Sequence, residues 1–266
     1  MIYNKITYVP GNGDMVCEGY DLDKANIMGV LFDAVTLTQA VDCALAQMRA
    51  RKKGYVVTPN PEIVYQAMED KPFCELINHA SLVLADGIGV IYAAKILGEK
   101  LPCRVPGIDF AGMLMHRMAQ EKMTLFLLGA KPGVAEQAAE NLKKKYPGLM
   151  IAGTKDGYFK NDSEAVAAVN AAGGADAIFV CLGAPKQERF MSKYQKDMNV
   201  TLCCGLGGSL DVFAGTVQRA PDIFIKLGLE WFYRLCKEPK RIGRMMKLPL
   251  FMLLVIRKKL FGGKTK

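Results

Sequence analysis

Five times along this chain a short apolar run stops abruptly on a polar or glycine-rich tip, and a helical pattern follows. The tips are Thr58/Asn60 after "YVV", Asp86/Gly87 after "LVLA", Gly129–Gly133 after "TLFLL", Gly183–Gln187 after "DAIFVCL" and Gly205–Ser209 after "VTLCC". Short β-rich runs separated by helices predict a parallel sheet covered on both faces. In an open sheet of that kind, ligands bind outside the carboxyl ends of the strands. Each tip is followed by a helix start, which offers free backbone N–H groups and a partial positive charge. Such an edge suits an anionic ligand such as a diphosphate. None of the tips is a full Gly-x-Gly-x-x-Gly or Walker sequence, so a nicotinamide-dinucleotide or ATP site is the weaker reading.

The same alternation runs through the rest of the body. "NIMGVLFDAV" predicts a strand and turn, and "TLTQAVDCALAQMRARKK" a helix capped by Thr36. "GIDFAGMLMHRMAQEK" and "SEAVAAVNAAG" read as helices, and "LMIAGTKDGYF" as a strand and loop. Residues 27–215 therefore form an α/β core. Residues 1–26 are polar and aperiodic and read as an extension. Asp21-Leu22-Asp23 within them resembles a metal-holding Asp-x-Asp, but it follows no apolar run, and no metal is expected there.

Charge separates the last fifth of the chain from the rest. Residues 216–266 hold 13 Lys and Arg against three Asp and Glu, while residues 1–215 hold 22 against 23. The tail carries Ile223, Phe224, Leu227, Leu229, Trp231, Phe232 and Leu235 at near-helical spacing, interleaved with basic residues that include Arg234, Arg241 and Arg244. The run Leu248–Ile256 is too short to span a bilayer and contains Pro249. A basic amphipathic appendage over 216–266 is expected to lie on an anionic membrane surface, in preference to packing as a plain core helix or binding nucleic acid.

Eight cysteines show no Cys-x-x-Cys spacing, and no signal peptide opens the chain. Free buried thiols in a reducing compartment are expected. The two histidines, His79 and His116, lie inside helical patterns, which argues against a His-based zinc site or a Ser-His-Asp triad.

Asp86 is the sharpest candidate for chemistry. Following "LVLA", it sits at the lip of the sheet, where a carboxylate acts as a general base or caps the next helix. Thr58 and Asn60 lie beside it if their strands are adjacent, as sugar-hydroxyl partners or as turn and cap residues. Arg104, in a Pro-flanked loop, is a phosphate cation or a surface charge. Gln187 opens a helix, and Asp211 stands where acidic residues hold a ribose diol in nucleotide folds.

"TPNPE", "LADGIGV", "RVPGIDF", "LLGAKPGVAE", "DGYF", "GAPKQE", "GLGGSLDVFAG", "RAP" and "GLEWFYRLCKEPKRIGR" together resemble the WecG/TagA/CpsF glycosyltransferase family. The resemblance covers about residues 27–245 in order and is closest to its TagA branch. It implies a Rossmann-like core with a C-terminal membrane-binding appendage. It also implies an inverting transfer, without a cofactor, from a UDP-sugar to a polyprenyl-diphosphate-linked acceptor on the cytoplasmic face of a bacterial cell membrane. In that branch N-acetylmannosamine goes to N-acetylglucosaminyl-diphospho-undecaprenol to start the linkage unit of wall teichoic acid. By resemblance Asp86 is the base. Thr58, Asn60, Arg104 and Gln187 line the sugar pocket, and Gly157, Tyr158, Gly207, Gly208 and Asp211 meet the nucleotide. Arg234, Arg241 and Arg244 close over the lipid diphosphate. Two other readings stay open: a relative using UDP-N-acetylmannosaminuronate, UDP-glucose or UDP-glucuronate for capsule or exopolysaccharide, and a nucleotide-binding membrane adaptor without turnover. Assembly into a homo-oligomer is also left open.

Overall fold

The apolar runs pair as their alternation requires. In the computed structural model, which describes residues 8–10, 15–17, 22–237, 243 and 246–261, two antiparallel hairpins come first. They are β1 (Tyr8–Pro10) with β2 (Met15–Cys17), and β3 (Lys24–Ile27) with β4 (Val30–Asp33). The main sheet follows: β5 (Gly54–Val57), β6 (Leu82–Val83), β7 (Thr124–Gly129), β8 (Met150–Lys155), β9 (Ala175–Cys181) and β10 (Val200–Gly205). Its order is β6-β5-β10-β9-β7-β8, and every neighbouring pair is parallel.

The sheet separates two apolar layers. Along β7, Leu125 and Leu127 enter one layer while Phe126 and Leu128 enter the other, the period of two that a strand imposes. The first layer is covered by α1 (Leu37–Arg49), α5 (Gly107–Gln120), α6 (Val134–Lys145) and α9 (Ser209–Phe213). The second is covered by α2 (Pro61–Glu69), α3 (Lys71–Asn78), α4 (Ile88–Leu97), α7 (Asp162–Ala171), α8 (Lys186–Tyr194) and a C-terminal helix, α12 (Lys247–Phe261). Two short helices, α10 (Asp222–Lys226) and α11 (Glu230–Lys237), lead out of the core. Thr36 caps α1 through a capping box with Gln39.

Two expectations change. The strand read in "NIMGVLFDAV" does not open the parallel series: Val30–Asp33 folds back on Lys24–Ile27. Met28 (φ 58°) and Gly29 (φ 99°) turn the hairpin, and Asn26 Oδ1 accepts from the Gly29 amide at 2.9 Å. Two successive positive φ angles are what a tight hairpin needs, and methionine at the first of them gives no sequence warning. The thiols also divide. Cys74, Cys103, Cys181, Cys203, Cys204 and Cys236 are free, but Cys43, fully buried in α1, is disulfide-bonded. Burial pushes the Cys181 and Cys203 thiols up to about 12, which leaves both as inert core groups.

The tail is not one detached unit. Phe251 and Val255 of α12 are fully buried in the second layer, where α12 packs on α2 and α4. Its other side is open: Leu250, Leu253, Leu260 and Phe261 are exposed. Among the described residues, no helix is long and apolar enough to cross a membrane.

Candidate functional site

Because all six strands run the same way, all six tips meet on one edge of the sheet. In sheet order they carry Asp86, then Thr58 and Asn60, Gly207 and Gly208, Gln187, Gly129–Gly133, and Gly157 with Tyr158. One hydrogen bond joins each tip to the next. The Asp86 amide donates to Pro59 O at 3.2 Å, and Thr58 Oγ1 donates to Gly205 O at 3.0 Å. The Gly207 amide donates to Gln187 Oε1 at 2.9 Å. The Ala130 amide donates to Cys181 O at 3.2 Å, and the Gly157 amide to Ala130 O at 2.9 Å. This edge is stitched along its whole length, so its groups hold fixed relative positions.

Asp86 occupies the end of that edge, half-buried. It does not cap the helix that follows it. The cap of α4 is Gly87 (φ 98°), which has no side-chain hydrogen bond. Instead Asp86 Oδ2 lies 3.4 Å from the amide of Gly107, the first residue of α5, and accepts from it. The carboxylate thus faces the N-terminal end of a 14-residue helix, where unpaired backbone amides gather.

The neighbouring candidates are used inside the edge. Thr58 is buried, and the space around its side chain is closed by Gly107 of α5, where a Cβ would come within 3.2 Å of Thr58 Oγ1. Asn60 caps α2, accepting from the Ile63 amide at 3.0 Å. Gln187 is buried and spans from the Gly207 amide to Glu188, donating through Nε2 to Glu188 Oε1 at 2.8 Å. Glu188 is itself buried, and desolvation holds its carboxyl above the usual carboxylate range. Among the described residues its Oε2 has no hydrogen-bond partner.

Towards the other end, the direction of the strand connections reverses between β9 and β7. From β9 the connection runs back to β10, and from β7 it runs out to β8. A crevice at such a switch point is where doubly wound sheets take phosphorylated ligands. Here the switch point is flanked by the tips of β7, β8 and β9. These tips approach closely: a Cβ on Gly129 would lie 2.3 Å from Cys181 O, so only glycine fits. Tyr158, beyond β8, is 68% exposed, and its amide donates to Asp156 Oδ1 at 2.8 Å. That bond is the main cause of the lowered Asp156 carboxyl pKa. Asp211 lies in the first turn of α9 and its charge reaches Cys181 at the end of β9.

The tail enters the site through charge. Arg104 Nη1 donates to Glu230 Oε2 at 2.7 Å, with both side chains mostly buried. Arg219 pairs with both carboxylate oxygens of Asp109, at 2.7 and 2.9 Å, and lies 3.9 Å from Glu230. Gly228, between α10 and α11, rests on Ile88 at the start of α4. Sequence reading assigned no role to Asp109, Arg219 or Glu230. The available signal was a charge inside each otherwise apolar or turn-forming motif, "GIDF", "RAP" and "GLEW". The side chain of Arg234 and the whole of Arg241 and Arg244 lie outside the described residues.

Comparison with known proteins supplies the chemistry. The family model described as "Glycosyl transferase WecG/TagA/CpsF family" matches residues 25–265. A protein of Bacillus spizizenii is 40% identical over 206 residues, 77% of this chain and 80% of its own length. One from Staphylococcus aureus is 38% identical over 231 residues, 86% of this chain and 91% of its own. One from Bacillus subtilis is 37% identical over 222 residues, 83% and 86% respectively. All three carry the name N-acetylglucosaminyldiphosphoundecaprenol N-acetyl-beta-D-mannosaminyltransferase.

Proposed function

This chain belongs to the WecG/TagA/CpsF family of glycosyltransferases, and from that premise we propose that it transfers N-acetylmannosamine from UDP-N-acetylmannosamine to N-acetylglucosaminyl-diphospho-undecaprenol, with inversion. The relatives' name supports the sugar and the acceptor. The observation that carries the mechanism is the placement of Asp86. It is a half-buried carboxylate at the open edge, held by the first amide of α5 and not spent on capping α4.

In this reading Asp86 takes the proton from the acceptor's 4-hydroxyl. That oxygen attacks the donor's anomeric carbon from the side opposite UDP. The leaving diphosphate gains negative charge, which preorganised donors must meet. The starts of α6, α8 and α9 line the edge beside the switch point and supply backbone N–H groups there. Arg104 supplies a guanidinium from the loop whose Val105 amide pairs with Ala85 O, next to Asp86. Arg234, Arg241 and Arg244 belong to the basic tail and are assigned to the lipid diphosphate by resemblance.

The lipid-linked acceptor requires a membrane. Ile223 on α10, Leu227 just after it and Phe232 on α11, with Leu250, Leu253 and Leu260 on α12, are exposed apolar groups. Gly228, between α10 and α11, and Leu248 of α12 lie against Ile88 and Gly89 of α4, two and three positions after Asp86. A bilayer meeting these residues would present its head-group layer to the Asp86 end of the edge, with the protein peripheral on the inner face.

The test is UDP release from UDP-N-acetylmannosamine and a short-chain N-acetylglucosaminyl-diphospho-lipid. Release needs both substrates, and Asp86→Asn lowers turnover by about 100- to 10,000-fold while UDP affinity is unchanged. An Asp86→Asn protein that turns over normally would sink the base assignment. No release with UDP still bound would reassign the donor sugar.

A further inference from the structure

Arg104 stands next to Val105, whose amide donates to Ala85 O at 2.8 Å beside Asp86, yet its charge is already answered. Glu230 Oε2 sits 2.7 Å from Arg104 Nη1, and the two side chains are 16% and 17% exposed. Glu230 is the first residue of α11, 126 positions along the chain from Arg104 and outside the α/β core. Its other oxygen faces Arg219, which is locked on Asp109 in the first turn of α5. The same helix start gives its first amide to Asp86. A single line therefore runs Asp86, α5, Asp109, Arg219, Glu230, Arg104. Two acids answer two guanidinium groups within it, and one of those acids comes from the tail.

We infer that Glu230 is a positioning residue whose carboxylate holds the place of the diphosphate on Arg104. The inference rests on the UDP-sugar reading above. A guanidinium fork accepts carboxylate and phosphate oxygens in the same geometry, so one anion can replace the other without rebuilding the site. The pair is largely shielded from water, so the exchange of acceptors is direct competition. When a diphosphate takes Arg104, Glu230 is released and α11 loses a charged tie to the core. When UDP departs, Glu230 returns and Arg104 is never left as an unpaired, mostly buried cation. Glu230 thus weakens nucleotide binding, speeds product release and couples the tail to occupancy of the site.

The test measures anion binding and turnover separately. Glu230→Gln keeps shape and an acceptor oxygen but removes the charge. It is expected to bind UDP and inorganic pyrophosphate more tightly, by at least about fivefold. KM for the donor falls, and kcat falls with it because UDP leaves slowly. Glu230→Asp, which keeps the charge, stays near the parent protein in affinity. Adding Arg104→Gln to Glu230→Gln abolishes the gain. A purely structural Glu230 would leave anion affinity unchanged or weaken it in Glu230→Gln, and either result overturns the inference. So does a gain that survives Arg104→Gln, or a failure of the parent and Glu230→Gln proteins alike to bind either anion. Pyrophosphate binding that tightens without any UDP binding would leave the inference standing and sink the donor reading.

Discussion

Helices α11 and α12 belong to the same basic tail, but they hold the core by different physics. α12 is anchored by burial: Phe251 and Val255 are fully inside the second apolar layer, between α2 and α4. α11 is held by charge, through Glu230 on Arg104 and Arg219, and by the turn at Gly228 resting on Ile88. Apolar burial is nondirectional and insensitive to salt, whereas an ion pair can exchange one partner for another. The difference teaches that α12 is tied into the fold by packing, while α11 is tied by ion pairs that, on the inference above, an anion can displace. The packed helix presents an exposed apolar side, and the ion-paired helix touches the residues around Asp86.

The comparison breaks first at Phe251. Phe251→Ala should destabilise the protein by about 3–5 kcal/mol, through lost transfer energy and a residual cavity. Denaturant melts at low and high salt should show the same loss. A negligible loss would mean that α12 is not part of the folded core. Gly89 offers the next test. A Cβ there would lie 2.7 Å from Pro61 and 3.2 Å from Leu248, where α2, α4 and α12 meet. Gly89→Ala should cost about 1–3 kcal/mol by overpacking, again without salt dependence, and thermal unfolding would show it. The smallest effect belongs to the charged side. Asp109→Asn removes a partly exposed partner of Arg219 and should cost about 1 kcal/mol or less at low salt. That loss should shrink as ionic strength rises. An equal loss at all salt concentrations would erase the distinction between the two helices.

Much of this was legible in the sequence. The five tips lie where "YVV", "LVLA", "TLFLL", "DAIFVCL" and "VTLCC" end, and the helices after them start where Pro, Gly and polar residues predict. Those signals are local: a period of two, a period near 3.6, and a turn residue between them. Thr36 as the α1 cap is legible for the same reason. The β3–β4 hairpin was missed because Met28 adopts a positive φ that its side chain does not advertise. Glu230 was missed because it reads, by itself, as one more charge in a basic tail.

The sequence by itself determined that strands alternate with helices, that their carboxyl tips are polar, that Asp86 ends one of them, and that the positive charge gathers at the tail. Each of these is written in neighbouring residues, so local sterics and local periodicity suffice. Only the tertiary structure decided the order β6-β5-β10-β9-β7-β8. That order places Asp86 at one end of the edge and the reversal of the strand connections towards the other. Only the tertiary structure also decided that Asp86 faces the start of α5, and that Arg104 is answered from α11. Those partners are 21 and 126 positions apart. Contacts at such separations are set by how whole layers bury their apolar faces, and no short stretch of chain carries that information.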